Sequence, residues 1–194
     1  MTRIGSIHRK TLETDVEITI NLDGTGQVAV DTGVGFYDHM LTAFGHHGLF
    51  DLEINTMGDL HVDEHHTVED TALVLGSAIA DALGDRAGIR RYGSATIPMD
   101  EALATAVVDI GGRPYAVIDL PFVTERLGGL GTQMIPHALE AFARTGGCTL
   151  NLAAQGRNDH HIAEAAFKAL AYAIRAAVEV DPRRQGLVST KGST

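Results

Sequence analysis

The feature that most constrains this chain is an internal repeat built around histidine. Residues 38–44 align with residues 136–142, and each segment places one His among apolar residues at helical spacing. Further along, residues 65–69 align with residues 160–164, and both segments have the pattern His-His-x-x-Glu. Self-similarity of this kind indicates two copies of one supersecondary unit. We therefore predict two strand–helix repeats packed around shared helices.

The repeat also predicts how the chain is organised. Either copy alone would leave one face of its sheet uncovered, so the two halves should form one compact unit that spans residues 1–194. We place the first repeat at residues 1–92 and the second at residues 93–180. A C-terminal tail follows over residues 181–194.

Apolar spacing predicts the individual elements. Alternation over residues 4–22, clear from Leu12 onward, predicts one half-buried strand, and residues 23–26 predict a hairpin turn into a return strand over residues 27–31. The predicted helices, the first of which should end at Gly48, cover residues 36–47, 64–83, 133–144 and 160–178. Further strands are predicted over residues 49–55, 94–97, 102–110, 116–120 and 149–153, and a flexible turn over residues 128–131.

On a helix, the His-His-x-x-Glu pattern can chelate a metal ion. Positions i and i+4 stack on one face, whereas position i+1 points roughly 100° away. In each copy the first His and the Glu can therefore bind one ion, and the second His must reach elsewhere. We predict crossed donation, in which the second His of each copy binds the ion that the other copy chelates. The lone His of each short helix would then complete two equivalent sites of four protein ligands. The candidate ligands are His39, His65, His66, Glu69, His137, His160, His161 and Glu164.

This ligand set constrains the metal. Imidazoles and carboxylates without a thiolate suit Mn or Fe, with Zn as a further option, and the lack of Cys argues against a structural Zn site. An octahedral ion with four protein ligands keeps two positions open, as catalysis requires. The other histidines lack partners at ligand spacing. We predict that His8 and His61 lie on the surface and that His46 and His47 lie at a helix end or in a pocket.

Charge and cysteine content disfavour several classes of protein. Asp and Glu outnumber Lys and Arg by 25 to 15, and a net charge of −10 disfavours binding to nucleic acid and to anionic membranes. Cys148 is the single cysteine, so no internal disulfide can form, which fits a reducing cytoplasm. No apolar run is long enough to span a bilayer, and the first residues lack the apolar core of a signal peptide. We therefore expect a cytoplasmic protein.

Short motifs along the chain carry a family resemblance. They are GVGFYDHML (33–41), FDL (50–52), GDLHVDEHHTVED (58–70), RYG (91–93), PMDEALA (98–104), GRPY (112–115), GRNDHHIAEAAFKAL (156–170) and DPRRQG (181–186). Through them, essentially the whole chain resembles the imidazoleglycerol-phosphate dehydratase family. The resemblance implies a lyase of L-histidine biosynthesis that dehydrates D-erythro-imidazole glycerol phosphate to imidazole acetol phosphate.

The resemblance also implies a fold and an assembly. The fold would be α+β, with tandem duplicated β/α half-repeats and four helices sandwiched between two four-stranded sheets, similar to the ribosomal protein S5 domain 2-like folds. Members of the family form homo-oligomers of 24 subunits with octahedral symmetry. Two Mn²⁺ ions per subunit would lie where subunits meet, beside a small phosphorylated imidazole substrate.

Residue roles follow from the resemblance position by position. One Mn²⁺ would be bound by His39, His66, His160 and Glu164, and the other by His65, Glu69, His137 and His161. Besides metal-binding histidines, the substrate contacts would include Glu13, His47, Arg91, Arg113, Lys168, Ser189, Thr190 and Lys191. We expect the last three to close the site as the tail orders over bound ligand. The catalytic carboxylates would be Glu13, Glu69 and Glu164.

The reaction explains why two ions are needed. The proton to be removed lies on a carbon that no carbonyl activates, so the ring must first, or at the same time, expel hydroxide from the carbon attached to it. An imidazolate can do this through a diazafulvene-like intermediate, and one Lewis acid on each ring nitrogen would stabilise the deprotonated ring. We hypothesise that Glu13 then moves the side-chain proton, although a solvent-facing place in a strand remains the alternative. For Asp100 and Glu101 we favour a structural role.

Two other readings of the ligand set remain open. A binuclear metallohydrolase would use metal-bound hydroxide. Such an enzyme usually needs a carboxylate that bridges the two ions, and this ligand set contains no additional carboxylate for that role. A protein whose His clusters only join subunits would have saturated sites without an open position. Metal analysis together with a dehydration assay separates these three alternatives.

Overall fold

The computed structural model describes residues 3–184 and 186–189. In this part of the chain the helices are α1 (Gly35–Gly48), α2 (His65–Leu83), α3 (Met134–Gly146) and α4 (Asp159–Val178). The strands are β1 (Ile4–Lys10), β2 (Thr14–Asn21), β3 (Val28–Asp31), β4 (Asp51–Gly58), β5 (Tyr92–Met99), β6 (Ala102–Asp109), β7 (Tyr115–Asp119), β8 (Arg126–Leu127), β9 (Leu130–Gly131) and β10 (Thr149–Gln155).

The two halves of the described chain form sheets of the same topology. The strand order is β1-β2-β4-β3 in the first sheet and β5-β6-β10-β7 in the second. Pairing is antiparallel except at one edge of each sheet, where β3 runs parallel to β4 and β7 runs parallel to β10. The predicted duplication of a β/α half-repeat is therefore confirmed.

The helices lie between the sheets. In the first half α2 packs on the inner face of its sheet and α1 on β3, while in the second half α4 packs on its sheet and α3 on β7. The helical layers meet where α1 contacts α4 and α2 contacts α3. Alternate strand residues such as Ile18 and Val108 face the helices and are fully buried. The predicted sandwich of four helices between two four-stranded sheets is thus confirmed for the described residues.

The first strand of each sheet crosses the long helix of its repeat at a glycine. A Cβ placed on Gly5 would lie 2.0 Å from the carbonyl oxygen of Ala78, in α2. A Cβ placed on Gly93 would lie 2.0 Å from the carbonyl oxygen of Ala173, in α4. The missing side chain lets strand and helix backbones approach closely at the same point of both repeats.

The strand predictions at the N-terminus are partly wrong. The predicted single strand over residues 4–22 is in fact two antiparallel strands, β1 and β2, and Leu12 lies fully exposed in the turn between them. The predicted hairpin at residues 23–26 does not form either. The segment that follows, β3, pairs in parallel with β4 rather than with β2, because β4 occupies the position beside β2.

Two predicted glycine features also differ. Helix α1 continues through Gly48, and Leu49 takes the left-handed conformation that ends it, with φ of 58°. Of the segment 128–131, predicted as a flexible turn, residues 128–129 form the turn between β8 and β9, whereas Leu130 belongs to β9 and is fully buried. No helix of the described residues combines the length and apolarity that a bilayer crossing requires.

Candidate metal centre

The first cluster of predicted ligands joins the two repeats. His39 lies in α1, whereas His160 and Glu164 occupy the beginning of α4. Oε1 of Glu164 lies 2.9 Å from Nε2 of His39 and 3.0 Å from Nε2 of His160. The ring of Phe36 packs edge-on against both imidazoles, with centroid distances of 6.2 Å to His39 and 5.2 Å to His160. The contact between α1 and α4 therefore assembles a three-residue donor set.

A second cluster has the same arrangement with the halves exchanged. His65 and Glu69 lie four residues apart in α2, and His137 lies in α3. Oε2 of Glu69 lies 3.5 Å from Nε2 of His65 and 3.3 Å from Nε2 of His137. The two imidazole rings have a centroid distance of 4.9 Å. Packing of α2 against α3 thus matches the packing of α4 against α1.

Both clusters have the spacing of ligands around one ion. In each of them, within the described chain, the three ligand atoms lie within 4.8 Å of one another. Octahedral ligands at right angles, with bonds of about 2.1 Å, lie about 3 Å apart. Nε2 of His137 is closed off from solvent and makes no well-oriented hydrogen bond to any described residue, which suits a nitrogen that binds a cation. The donor atoms therefore fit a divalent cation in each cluster.

A basic side chain binds the second oxygen of each cluster carboxylate. Lys168 donates to Oε2 of Glu164, and Arg144 donates to Oε1 of Glu69 at 3.1 Å. Burial raises the pKa of Glu164, but hydrogen bonds from Lys168 and the two cluster histidines outweigh burial and lower this pKa to about 2. Burial also raises the pKa of Glu69, but the interactions with His137 and Arg144 outweigh burial and lower this pKa. Arg144 is not among the predicted site residues, although it lies two helical turns after the histidine of α3.

The second histidine of each repeat belongs to neither cluster of the described chain. Nδ1 of His66 lies 3.0 Å from Oδ2 of Asp59, and its Nε2 lies 3.8 Å from Oε1 of Glu13. Nδ1 of His161 lies 2.8 Å from Oε2 of Glu101. These carboxylates raise the pKa of both imidazoles. The crossed donation predicted from the sequence is therefore not made within one chain.

Glu101 is fixed more firmly than sequence analysis could predict. Its Oε1 accepts hydrogen bonds from the backbone N–H groups of Arg157 at 3.1 Å and Asn158 at 2.8 Å. The hydrogen bond from His161, together with backbone donors, lowers the pKa of Glu101 to about 2. Glu101 lies 60 residues before His161, in the turn between β5 and β6, and the packing of α4 on these two strands brings the two residues together. Asp59, seven residues before its histidine, carried a local signal that sequence analysis also missed.

Glu13 lies in the turn between β1 and β2. Its backbone N–H donates to Oγ1 of Thr11 at 3.1 Å, which closes the turn. Oγ1 of Thr14 donates to the buried carboxylate of Asp70 in α2 at 2.5 Å, and Arg9 pairs with the same carboxylate oxygen. These contacts tie the turn to α2, beside the second histidine of that helix.

Two predicted substrate contacts lie next to the first cluster. Lys168 is one turn beyond Glu164 in α4 and is partly buried. His47 is half-buried in the last turn of α1, where burial and the nearby charge of Lys168 lower its pKa. His46 lies beside it and is exposed, with a ring-centroid distance of 5.5 Å. The position of both residues at a helix end agrees with the prediction.

The predicted phosphate contacts lie around the second sheet. Arg91 makes a two-pronged ion pair with Asp109, with distances of 2.6 Å from Nε and 3.0 Å from Nη2. Its Nη1 donates to the carbonyl oxygen of Val188, within the C-terminal tail. Arg113 is exposed in the turn before β7, and Ser189 is partly buried. Thr190 and Lys191 lie outside the described residues.

Comparison with known proteins adds an independent line of support. A profile of the family described as imidazoleglycerol-phosphate dehydratase matches residues 32–174. The chain is 54% identical over 195 residues to the imidazoleglycerol-phosphate dehydratase of Zymomonas mobilis, with 100% of each chain covered. It is 53% identical to the Corynebacterium glutamicum protein of that name, covering 98% of this chain and 97% of the relative.

Solved structures give the same result. The crystal structure of imidazoleglycerol-phosphate dehydratase from Staphylococcus aureus is 34% identical with a TM-score of 0.82, covering 92% of this chain and 99% of that one. The structure of the Pyrococcus furiosus protein is also 34% identical with a TM-score of 0.82, covering 97% of this chain and 100% of that one.

Proposed function

The chain belongs to the imidazoleglycerol-phosphate dehydratase family, a family of lyases in histidine biosynthesis, and from this we propose the reaction and its residues. The substrate is D-erythro-imidazole glycerol phosphate, and the product is imidazole acetol phosphate. The observation that carries the proposal is the pair of matched His/His/Glu clusters, one on each helix pair. Two similar cation sites suit a substrate ring with two nitrogen atoms, each of which can bind one ion.

The metal ligands in this proposal come from both clusters. His39, His160 and Glu164 would hold one Mn²⁺ and the other cluster a second, so that each chain carries two. His66 and His161 would complete these sites from neighbouring copies of the chain, since neither joins a cluster of its own chain. When bound, the two ions would supply Lewis-acid stabilisation of the deprotonated azole ring, which would allow loss of hydroxide without carbonyl activation.

Glu13 is the proposed base for the side-chain proton. Its carboxylate faces the second histidine of α2 at 3.8 Å, so it would lie beside the reacting carbons of a ring held there. The hydrogen bonds of Thr11 and Thr14 hold the turn that carries Glu13, and this positioning is what a general base needs. Glu69 and Glu164 would act by keeping full negative charge at the metal sites.

The phosphate contacts of the proposal are Arg91, Arg113 and Lys168, with the tail residues Ser189, Thr190 and Lys191. Guanidinium groups suit phosphate because they offer parallel N–H donors. Arg91 already holds the tail through the carbonyl oxygen of Val188, so ligand and tail could share one anchor. His47, beside Lys168, would line the same end of the site.

We also propose a homo-oligomer of 24 subunits in the cytoplasm, each a single unit of two repeats. The outer face of the second sheet supports self-association, because it exposes apolar side chains that water would disfavour. Those residues are Leu103, Val107, Tyr115 and Val117. The outer face of the first sheet also exposes Ile4 and Met57, but it carries charged residues such as Glu17 and Glu53 as well.

Metal analysis combined with a dehydration assay tests this function. The purified full chain should contain two transition-metal ions per polypeptide and should convert imidazole glycerol phosphate with loss of water. Glu69→Gln and Glu164→Gln should each lower the metal content and the turnover together. Hydrolysis of phosphate or amide esters without dehydration would contradict the proposal, and so would full metal occupancy without any turnover.

A further inference from the structure

The second histidine of each repeat contacts a carboxylate through Nδ1. Oε2 of Glu101 lies 2.8 Å from Nδ1 of His161, and Oδ2 of Asp59 lies 3.0 Å from Nδ1 of His66. An ionised carboxylate only accepts hydrogen bonds, so the ring nitrogen that faces it carries the proton of the neutral imidazole. The lone pair then lies on Nε2, the nitrogen that remains available to a metal ion.

We propose that Glu101 is a positioning residue that fixes the tautomer of His161, and that Asp59 does the same for His66. The inference rests on the proposed function, because the tautomer matters only if Nε2 of these histidines binds a metal ion. Neither carboxylate belongs to a metal-binding cluster of the described chain, so each acts through its histidine.

The two positioning residues differ in how firmly their own orientation is set. Oε1 of Glu101 accepts from two backbone N–H groups, those of Arg157 and Asn158, and backbone N–H groups cannot exchange donor for acceptor roles. Both oxygens of Asp59 lie within 3.3 Å of Nδ1 of His66. Within the described residues no backbone N–H group is bonded to the Asp59 carboxylate. Replacing each carboxylate by its amide should therefore have different effects.

Glu101→Gln is the decisive variant. The backbone donors would keep the amide oxygen facing them, so the amide NH₂ would face Nδ1 of His161. Nδ1 must then accept, which moves the ring proton to Nε2 and blocks the lone pair. We expect Mn²⁺ alone, measured by equilibrium dialysis on the full chain, to bind about 10- to 100-fold more weakly at one of its two sites.

Asp59→Asn is the matched comparison in the other repeat. Its amide is free to rotate and present oxygen to His66, so Mn²⁺ affinity should fall much less than in Glu101→Gln. Glu53→Gln, on the exposed face of β4, controls for loss of one negative charge. Equal weakening in all three variants would overturn the inference, since charge alone would then explain the result.

A direct measurement of the tautomer does not depend on activity. In the metal-free wild-type chain labelled with ¹⁵N-histidine, at a pH above the raised pKa of this imidazole, the ring of His161, assigned with His161→Gln, should carry its proton on Nδ1. Glu101→Gln should move the proton to Nε2. Protonation on Nε2 in the wild type would overturn the inference even if Glu101→Gln fails to fold. A wild-type chain that binds no Mn²⁺ would instead overturn the proposed function.

Discussion

The glutamate of each His/Glu cluster has fixed partners on both of its carboxylate oxygens. Glu164 gives one oxygen to two histidines and the other to Lys168, while Glu69 divides its oxygens in the same way with Arg144. Such ion pairs keep the carboxylates of Glu164 and Glu69 negatively charged well below neutral pH. Each side chain is therefore oriented before any ion binds, which limits the reorganisation that binding requires.

Glu13→Gln tests the proposed base at the residue scale. The amide has the same shape but cannot accept a proton, so we expect kcat to fall by about 10²- to 10⁴-fold, the range typical of general bases. Metal content should not change, because Glu13 belongs to neither cluster of the described chain. Steady-state dehydration and metal analysis on one preparation provide the measurement. Near-normal turnover with intact metal would remove Glu13 from the mechanism.

Whole elements meet at positions that allow little substitution. The first strand of each repeat crosses its long helix at a glycine, and the atom that a Cβ would meet is a helix carbonyl oxygen. A carbonyl in a helix is bonded along the helix axis and cannot rotate away as a side chain can. Strand and helix must therefore separate if the glycine is replaced.

Gly93→Ala should destabilise the fold through this contact. The added Cβ would lie 2.0 Å from the carbonyl oxygen of Ala173, and we expect a loss of about 1–3 kcal/mol, as for other overpacked cores. Urea unfolding of the metal-free chain measures the change. Ser94→Ala, at the exposed neighbouring position, should leave stability near the wild-type value. Equal stability of Gly93→Ala and the wild type would contradict the close approach of β5 and α4.

Asp51 gives an element-scale prediction that depends on pH. Its carboxylate accepts backbone hydrogen bonds from Thr25 at 2.8 Å and Gln27 at 3.1 Å, and these bonds lower its pKa in the folded chain. The contribution of the Asp51 carboxylate to stability is therefore complete above its pKa in the unfolded chain. It is lost as the pH falls through its lower pKa in the folded chain. Asp51→Asn should lower the free energy of unfolding at pH 7 more than at pH 3.

Unfolding in urea at both pH values, for the wild type and Asp51→Asn, gives the comparison. Glu53→Gln is the control, because it lies two residues further along the same strand on the exposed face. A deficit for Asp51→Asn that is the same at pH 7 and pH 3 would show that the charge of Asp51 does not hold the loop.

On the scale of the whole molecule, both clusters draw ligands from both repeats. Helices α1 and α4 supply one donor set, and α2 and α3 supply the other, so neither repeat could form a cluster alone. His66 and His161 remain outside these sets in the described chain, at the beginnings of α2 and α4. The proposed assembly would place them in the sites of neighbouring copies.

Metal removal should therefore dissociate the particle. If His66 and His161 bridge copies through the ions, a chelator should reduce the particle mass, and Mn²⁺ added back should restore it. Light scattering after size-exclusion chromatography gives the mass, with metal content measured on the same fractions. His66→Ala should resemble the chelated wild type, whereas His61→Ala, an exposed histidine before α2, should not. An unchanged mass after complete metal removal would exclude metal-bridged assembly.

The sequence alone determined the duplication, the placement of the four helices and the His/Glu pair at the beginning of each long helix. These features depend on local spacing: an i, i+4 pair such as His65 and Glu69 lies on one helix face whatever surrounds it. Strand periodicity likewise identified most strands, because alternate burial is a local property. It could not show that β1 and β2 are separate strands, since alternation continues weakly across the turn.

Only the tertiary structure decided which distant segments meet. Strand order places β4 beside β2, and this depends on the burial of whole faces rather than on the turn residues that predicted a hairpin. The pairing of Glu101 with His161 and of Arg144 with Glu69 likewise spans 60 and 75 residues. Contacts at such separations have no sequence period, because they arise when independent elements pack to bury their apolar faces.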